Sequence, residues 1–200
     1  MAGYRGEKSI DYYLGLLSEK QFGIFHDLRL KNGRGCFQID TLVISPSFFL
    51  IIEVKNIAGT LYFNNKKDQL IRTIEDKVEG LPDPFLQVFN QKIQLEKWLL
   101  QNKFPRMPLE HLVVISNPST IIKTTQYIPE LIHNGNIPQK VQQLTQRYKF
   151  EHLPTKELKK RSSRLLKKHT PADPDILKLL PSIKVNCLEE YFVINVQLWE

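Results

Sequence analysis

The stretch Phe48-Phe49-Leu50-Ile51-Ile52-Glu53-Val54-Lys55-Asn56 runs five large apolar residues directly into a carboxylate and an ammonium. Such a run reads as a buried strand, so the fold must cover it and still let two charges reach either water or a site at its end. A second strand, Cys36 to Ile44, precedes it across Ser45-Pro46-Ser47. Ser then Pro suits the first two positions of a type I turn, which predicts a hairpin. With the turn centred between Pro46 and Ser47, Ile44 opposes Phe49, Leu42 opposes Ile51, Asp40 opposes Glu53 and Gln38 opposes Lys55. Directly opposed residues share a face, and a slip of one residue would send Asp40 to the other side.

Glu53 and Lys55 lie two apart and so point to one face of the strand. An Asp40–Glu53 pair is repulsive unless a cation or proton lies between the carboxylates. Lys55 supplies part of that compensation. Mg²⁺ supplies more, because it takes oxygen ligands, is commonly held by one or two carboxylates and keeps waters that act on a phosphate. This reading makes the chain a metal-dependent phosphodiester hydrolase. The plainer reading is a solvated Glu-x-Lys pair at a strand end.

The rest of the chain supplies the cover. Ile10, Tyr13, Leu14 and Leu17 follow helical spacing, predicting an amphipathic helix from about Tyr4 to Lys20, with Glu7 one turn before Ile10 on the inward face. Period-two alternation from Phe22 to Leu30 predicts a strand ending at Asn32-Gly33-Arg34-Gly35. Further strands are expected at Gly59 to Phe63, Gln69 to Ile74 and Leu109 to Ser116. Between the last two, Asp83 caps a helix that opens on Pro84 and runs to about Asn102. Helices are also expected from Pro138 to Phe150 and from Thr155 to His169. The fold class is therefore α/β, a mixed sheet flanked by helices. Residues 1–122 form the core domain in this reading, and residues 123–200 form a basic helical C-terminal extension.

The 200 residues are 42% hydrophobic, enough for one domain with an extension, and no apolar run is long enough to span a bilayer. No secretory signal is visible at the start, and Cys36 and Cys187 match neither a disulfide framework nor a zinc spacing, so a soluble cytoplasmic protein is expected. The formal net charge of +7 favours a polyanionic partner, through phosphate contact and counterion release.

These residues together resemble the nuclease-related domain (NERD) family of bacterial proteins, within the PD-(D/E)xK nuclease superfamily. The resemblance rests on Gly6-Glu7, Gln38-Ile39-Asp40, Ile52-Glu53-Val54-Lys55-Asn56 followed by Gly59, and Asp83-Pro84-Phe85-Leu86-Gln87, and spans roughly Tyr4 to Asn117. The family usually shows Asn-Pro-x-x-Gln in the last motif, where this chain has Asp83, and both residues cap helices. The resemblance implies a restriction-endonuclease-like core and a Mg²⁺-dependent (or Mn²⁺-dependent) nuclease acting on DNA. Asp40 and Glu53 would hold the metal, Lys55 would be the catalytic lysine, and Glu7 and Gln87 would complete the pocket. Glu53→Ala is then expected to abolish cleavage with little loss of fold.

The helix from Thr155 carries Lys159, Lys160, Arg161 and Arg164 among its basic residues, set around Leu158, Leu165 and Leu166. It reads either as a docking helix with a solvated outer face or as a phosphate-contacting arm. An alternative function follows, a nucleic-acid-binding module on a nuclease fold that does not cut. A protein-interaction scaffold is a third.

Overall fold

The computed structural model describes residues 9–33, 35–64 and 67–170, together with the backbone of Val196 and Gln197. A helix α1, of which residues 9–14 are described, leads into β1 (Gly23–Asn32), β2 (Gly35–Ile44) and β3 (Phe49–Lys55). Then come β4 (Thr60–Asn64), β5 (Gln69–Ile74), β6 (Lys77–Leu81), α2 (Pro84–Gln101) and β7 (Leu109–Ile115). The chain continues through β8 (Ile121–Thr124), β9 (Leu131–His133), α3 (Ile137–Arg147) and α4 (Thr155–Lys167), and Val196–Gln197 form β10. The described part of α1 stops at Leu14, short of the expected Lys20, where Gly15 begins a turn.

The main sheet has the order β10-β1-β2-β3-β7-β9 and the second has the order β6-β5-β4-β8. In the main sheet β3, β7 and β9 are parallel and the other pairs antiparallel, so α2 lies on the crossover that returns the chain from β3 to its parallel neighbour. This mixed α/β architecture matches the expected fold class. Residue 122 falls within β8, which pairs with β4, and residues 131–133 pair with β7. Among the described residues no helix is long and apolar enough to cross a membrane.

Alternation along β3 explains how the apolar run is covered. Phe49 and Ile51 enter a core with Val88, Leu95 and Trp98 of α2 and Leu158 and Leu165 of α4. Leu50, Ile52 and Val54 enter a second core on the opposite face, with Ile10 and Leu14 of α1 and Ile137, Val141 and Leu144 of α3. Both faces of β3 are thus filled, each buried aliphatic side chain contributing about 1.5–3 kcal/mol.

The hairpin register is the expected one: Thr41 pairs with Ile52, Leu42 with Ile51, Val43 with Leu50 and Ile44 with Phe49. Its turn is held by Ser45 N–H donating to the Phe48 carbonyl at 3.0 Å, while Ser45 Oγ accepts from Phe48 N–H at 3.0 Å. The ladder ends at Thr41–Ile52, so neither the expected opposition of Asp40 and Glu53 nor that of Gln38 and Lys55 forms. Gln38 instead donates to Asp27, and Lys55 lies level with Ile115 of β7.

Gly59, at the entry to β4, has φ of +102°, and a Cβ there would stand 2.5 Å from the Thr73 carbonyl oxygen. Only glycine fits that approach. The Gly59 carbonyl accepts from Ile121 N–H at 3.0 Å and the Lys55 carbonyl from Ser116 N–H at 3.0 Å. The segment that leaves β3 is therefore tied at two points to the segment that leaves β7.

Candidate active site

Asp40 occupies a break in β2. Phe37, Ile39, Leu42 and Ile44 all belong to the α2-side core, which strict alternation through Asp40 would forbid. The neighbouring β1 breaks at the same level: Asp27 takes φ of 51°, a left-handed conformation that Asp tolerates, and the ladder pairs His26 with Thr41 and Leu28 with Ile39. At this break the Asp40 carboxylate takes a backbone donor from the next strand, with Val54 N–H donating to Oδ2 at 3.1 Å. Asp40 is thereby joined to the Glu53–Val54 peptide.

Glu53 is 1% exposed, although it is charged in its ionised form. A buried carboxylate needs a cation and donors to offset lost hydration. Both are present. Lys55 Nζ lies 2.7 Å from Glu53 Oε1, and Gln91 Nε2 donates to Glu53 Oε2 at 2.9 Å. Lys55 also donates to Gln87 Oε1 at 3.0 Å, toward the exposed mouth of the cluster.

Helix α2 brings the two glutamines. Asp83 caps it by accepting from Phe85 N–H at 2.7 Å, and Pro84 opens it, as expected. Gln87 and Gln91, one turn apart, lie over the end of β3 while Val88 and Leu95 anchor the helix in the core. Gln91 is the residue the sequence reading left out of the site: it, and not Gln87, holds Glu53. The i, i+4 spacing of the two glutamines was the available signal, but such a pair more often faces solvent.

Gln91 is 5% exposed, and its Oε1 has no hydrogen-bond partner. A buried amide oxygen without a donor suits a cation or one of its hydrating waters. With the carboxylate of Glu53 bonded to the same amide and that of Asp40 held by the Val54 N–H, the donor set is all oxygen, which fits Mg²⁺ or Mn²⁺. Among the described residues no group of three or more His, Cys, Asp or Glu forms a larger cluster.

Beneath this cluster, Thr41 is fully buried and shares a hydrogen bond of 3.2 Å with His26 Nδ1, while His26 Nε2 lies 3.9 Å from Asp11 of α1. Burial holds the His26 pKa below its ordinary 6.5, against the opposing pull of the Asp11 charge. Glu7, expected to complete the pocket, lies outside the described residues.

The basic helix is not gathered around the carboxylates. Leu158, Ser162 and Leu165 seat α4 on the core, leaving Lys159, Lys160 and Arg164 exposed. Arg161 turns inward: it pairs with Glu157, donates to the Lys103 carbonyl and lies 5.1 Å over the Phe104 ring. That contact is at the C-terminal end of α2, about 20 Å along the helix from Gln87. At its other end α4 is tied to β1, where Arg29 N–H donates to His169 Nδ1 at 3.2 Å.

Comparison with known proteins supports the grouping of these motifs. The nuclease-related domain family matches residues 2–116, more than half of the chain. An uncharacterized protein of Bacillus anthracis is 28% identical over 104 residues, covering 52% of this chain and 49% of that protein. The chain thus spans about half the length of the curated relative it matches. No solved structure matches it significantly. The buried Glu-x-Lys at the end of β3, the Asp40 that meets it and the capped helix bearing Gln87 all fall inside the matched residues, and the chain belongs to the nuclease-related domain family.

Proposed function

We propose that this protein is a metal-dependent nuclease that hydrolyses phosphodiester bonds in DNA, with its centre at Asp40, Glu53 and Lys55. The observation that carries the reading is a carboxylate buried to 1% exposure at the end of a strand, bonded to a lysine on one oxygen and a glutamine on the other. A merely solvated pair would leave Glu53 in water. Mg²⁺ or Mn²⁺ on Asp40 and Glu53 would supply Lewis-acid polarisation of the phosphoryl oxygen and a water of lowered pKa.

The chain's own groups have separable roles. Gln91 fixes the orientation of the Glu53 carboxylate, and the Val54 amide fixes that of Asp40. Lys55 has two of its three ammonium hydrogens directed at Glu53 and Gln87, which leaves one for the attacking water or a phosphoryl oxygen. Gln87, at the exposed side, sets where that ammonium stands. The net charge of +7 raises the local concentration of a polyanion.

The test is cleavage of linear, circular and single-stranded DNA with Mg²⁺, Mn²⁺ or EDTA. Metal-dependent cutting of any of them supports the proposal and shows which ends or strands are accepted. A folded wild type that binds DNA without cutting any would overturn it in favour of a non-cutting nucleic-acid-binding module. That second reading is favoured by the exposed basic face of α4, with Lys159, Lys160 and Arg164 outward. It predicts salt-dependent binding that weakens when those three are neutralised and that is unchanged by loss of Asp40 and Glu53.

A further inference from the structure

Helix α2 has two working faces. One packs Val88, Leu95 and Trp98 into the core. The other leaves Leu86, Phe89, Ile93 and Leu100 at 47%, 59%, 49% and 57% exposure. Large apolar residues scattered singly on a surface need no explanation, but these four form a stripe on a single helix. Leu86, Ile93 and Leu100 are spaced seven apart with Phe89 between, the narrow seam by which a helix meets another helix.

We propose that this stripe is the contact between two copies of the chain, packed antiparallel through α2 about a two-fold axis at Ile93. The spacing carries the inference. Leu86 and Leu100 are equidistant from Ile93, about 10 Å on either side, so an antiparallel copy sets Leu86 level with the partner's Leu100 and Ile93 against itself. A two-fold interface requires such a self-complementary patch. Charge agrees with the same register. Lys92 of one copy comes within about 3 Å in height of Glu96 of the other, on the same side of the seam, and symmetry makes two such pairs against one Lys92–Lys92 approach at the axis.

Two cavities flank the stripe and meet at Glu96. One of about 390 Å³ includes Phe85, Phe89, Lys92 and His111, and the other, of about 310 Å³, includes Leu99, Pro105 and Met107. They give the partner's side chains somewhere to enter. A five-turn face with these hollows buries on the order of 600 Å² per copy, about 1,200 Å² in all, the lower end of what a specific dimer needs. A micromolar dimer is the expected result. Gln87 and Gln91 lie roughly 120–160° around the helix from Ile93, so pairing leaves the carboxylate cluster open.

The experiment is sedimentation equilibrium of the full chain from about 1 to 200 μM, with Ile93→Glu, Lys92→Glu and the double variant Lys92→Glu/Glu96→Lys. The wild type should dimerise, and Ile93→Glu should raise the dissociation constant at least about 30-fold, with an unchanged melting profile at concentrations where both are monomeric, since Ile93 is not a core residue. Lys92→Glu should weaken the dimer and the double variant should restore it. A wild type that stays monomeric across the range overturns the proposal and leaves the stripe to a different protein. A dimer indifferent to Ile93→Glu, or a double variant no better than Lys92→Glu, also overturns it.

Discussion

Replacing Glu53 by Gln separates a catalytic carboxylate from a structural one. The substitution keeps the shape and removes the charge. It loses the 2.7 Å ion pair with Lys55, which is worth little where the ammonium is partly solvated: a quarter of the Lys55 side chain is exposed. It also removes the cost of holding a carboxylate out of water, which opposes that loss and is of similar or larger size. The second contact repairs itself. If the Gln91 amide turns over, its unpartnered Oε1 accepts from the new amide, replacing the 2.9 Å bond to Glu53. Stability should change by no more than about 1 kcal/mol, a melting shift within about 4 °C for a chain of this size. Alanine at this position leaves a cavity and should cost about 2–3 kcal/mol, so the sequence-based expectation of little loss of fold for Glu53→Ala is revised by its burial. The assay is thermal unfolding with and without Mg²⁺. At ten times its dissociation constant the metal should add about 1.4 kcal/mol to the wild type, a rise of roughly 3–6 °C, and nothing to Glu53→Gln. A fall of more than about 8 °C in the variant without metal, or a metal shift equal to the wild type's, would refute the reasoning.

Three further outcomes follow. Gly59→Ala forces a Cβ to within 2.5 Å of the Thr73 oxygen at a φ of +102°, and should cost at least about 2 kcal/mol in a denaturant titration; an unchanged midpoint would show that the β4 entry is soft. Asp83→Ala should lose about 1 kcal/mol by removing the cap on Phe85 N–H, whereas Asp83→Asn should match the wild type, both read from melting curves. His26, His111 and His169 all have pKa values lowered by burial, from an ordinary 6.5, with Lys92 adding to the effect at His111. The folded state thus binds fewer protons than the unfolded one below about pH 6.5, so their contribution to stability is full above that pH and falls as pH drops through their folded values. Unfolding free energies at neutral and mildly acidic pH should show this decline, and His111→Gln should flatten part of it; an equal slope in the variant would remove His111 from the account.

Much of the site was legible because its parts are local. The Ser45–Phe48 turn sets the hairpin register, and just past the end of that ladder Asp40 meets the Val54 amide at the Glu53–Lys55 end of β3. The capped start of α2 was equally plain from Asp83-Pro84. What sequence did not show is non-local or weakly patterned. The left-handed Asp27 and the change of face at Asp40 depend on two strands breaking together, and periodicity within either strand gives no sign of it. Strand β6 is almost wholly exposed, and β8 and β9 are four and three residues long, too short to display alternation. Arg161 looked like its basic neighbours, and only the packing of α4 on Phe104 turns it inward.

The central claim, that Asp40, Glu53 and Lys55 form a metal-dependent phosphodiester-cleaving centre, is tested most directly by single-turnover cleavage of an end-labelled DNA. Wild type, Glu53→Gln and Lys55→Met would be compared with Mg²⁺ and with EDTA, each variant first shown to be folded. The account predicts cutting by the wild type only with metal, and loss of at least about 100-fold in both variants. Cleavage by folded Glu53→Gln at the wild-type rate would contradict it.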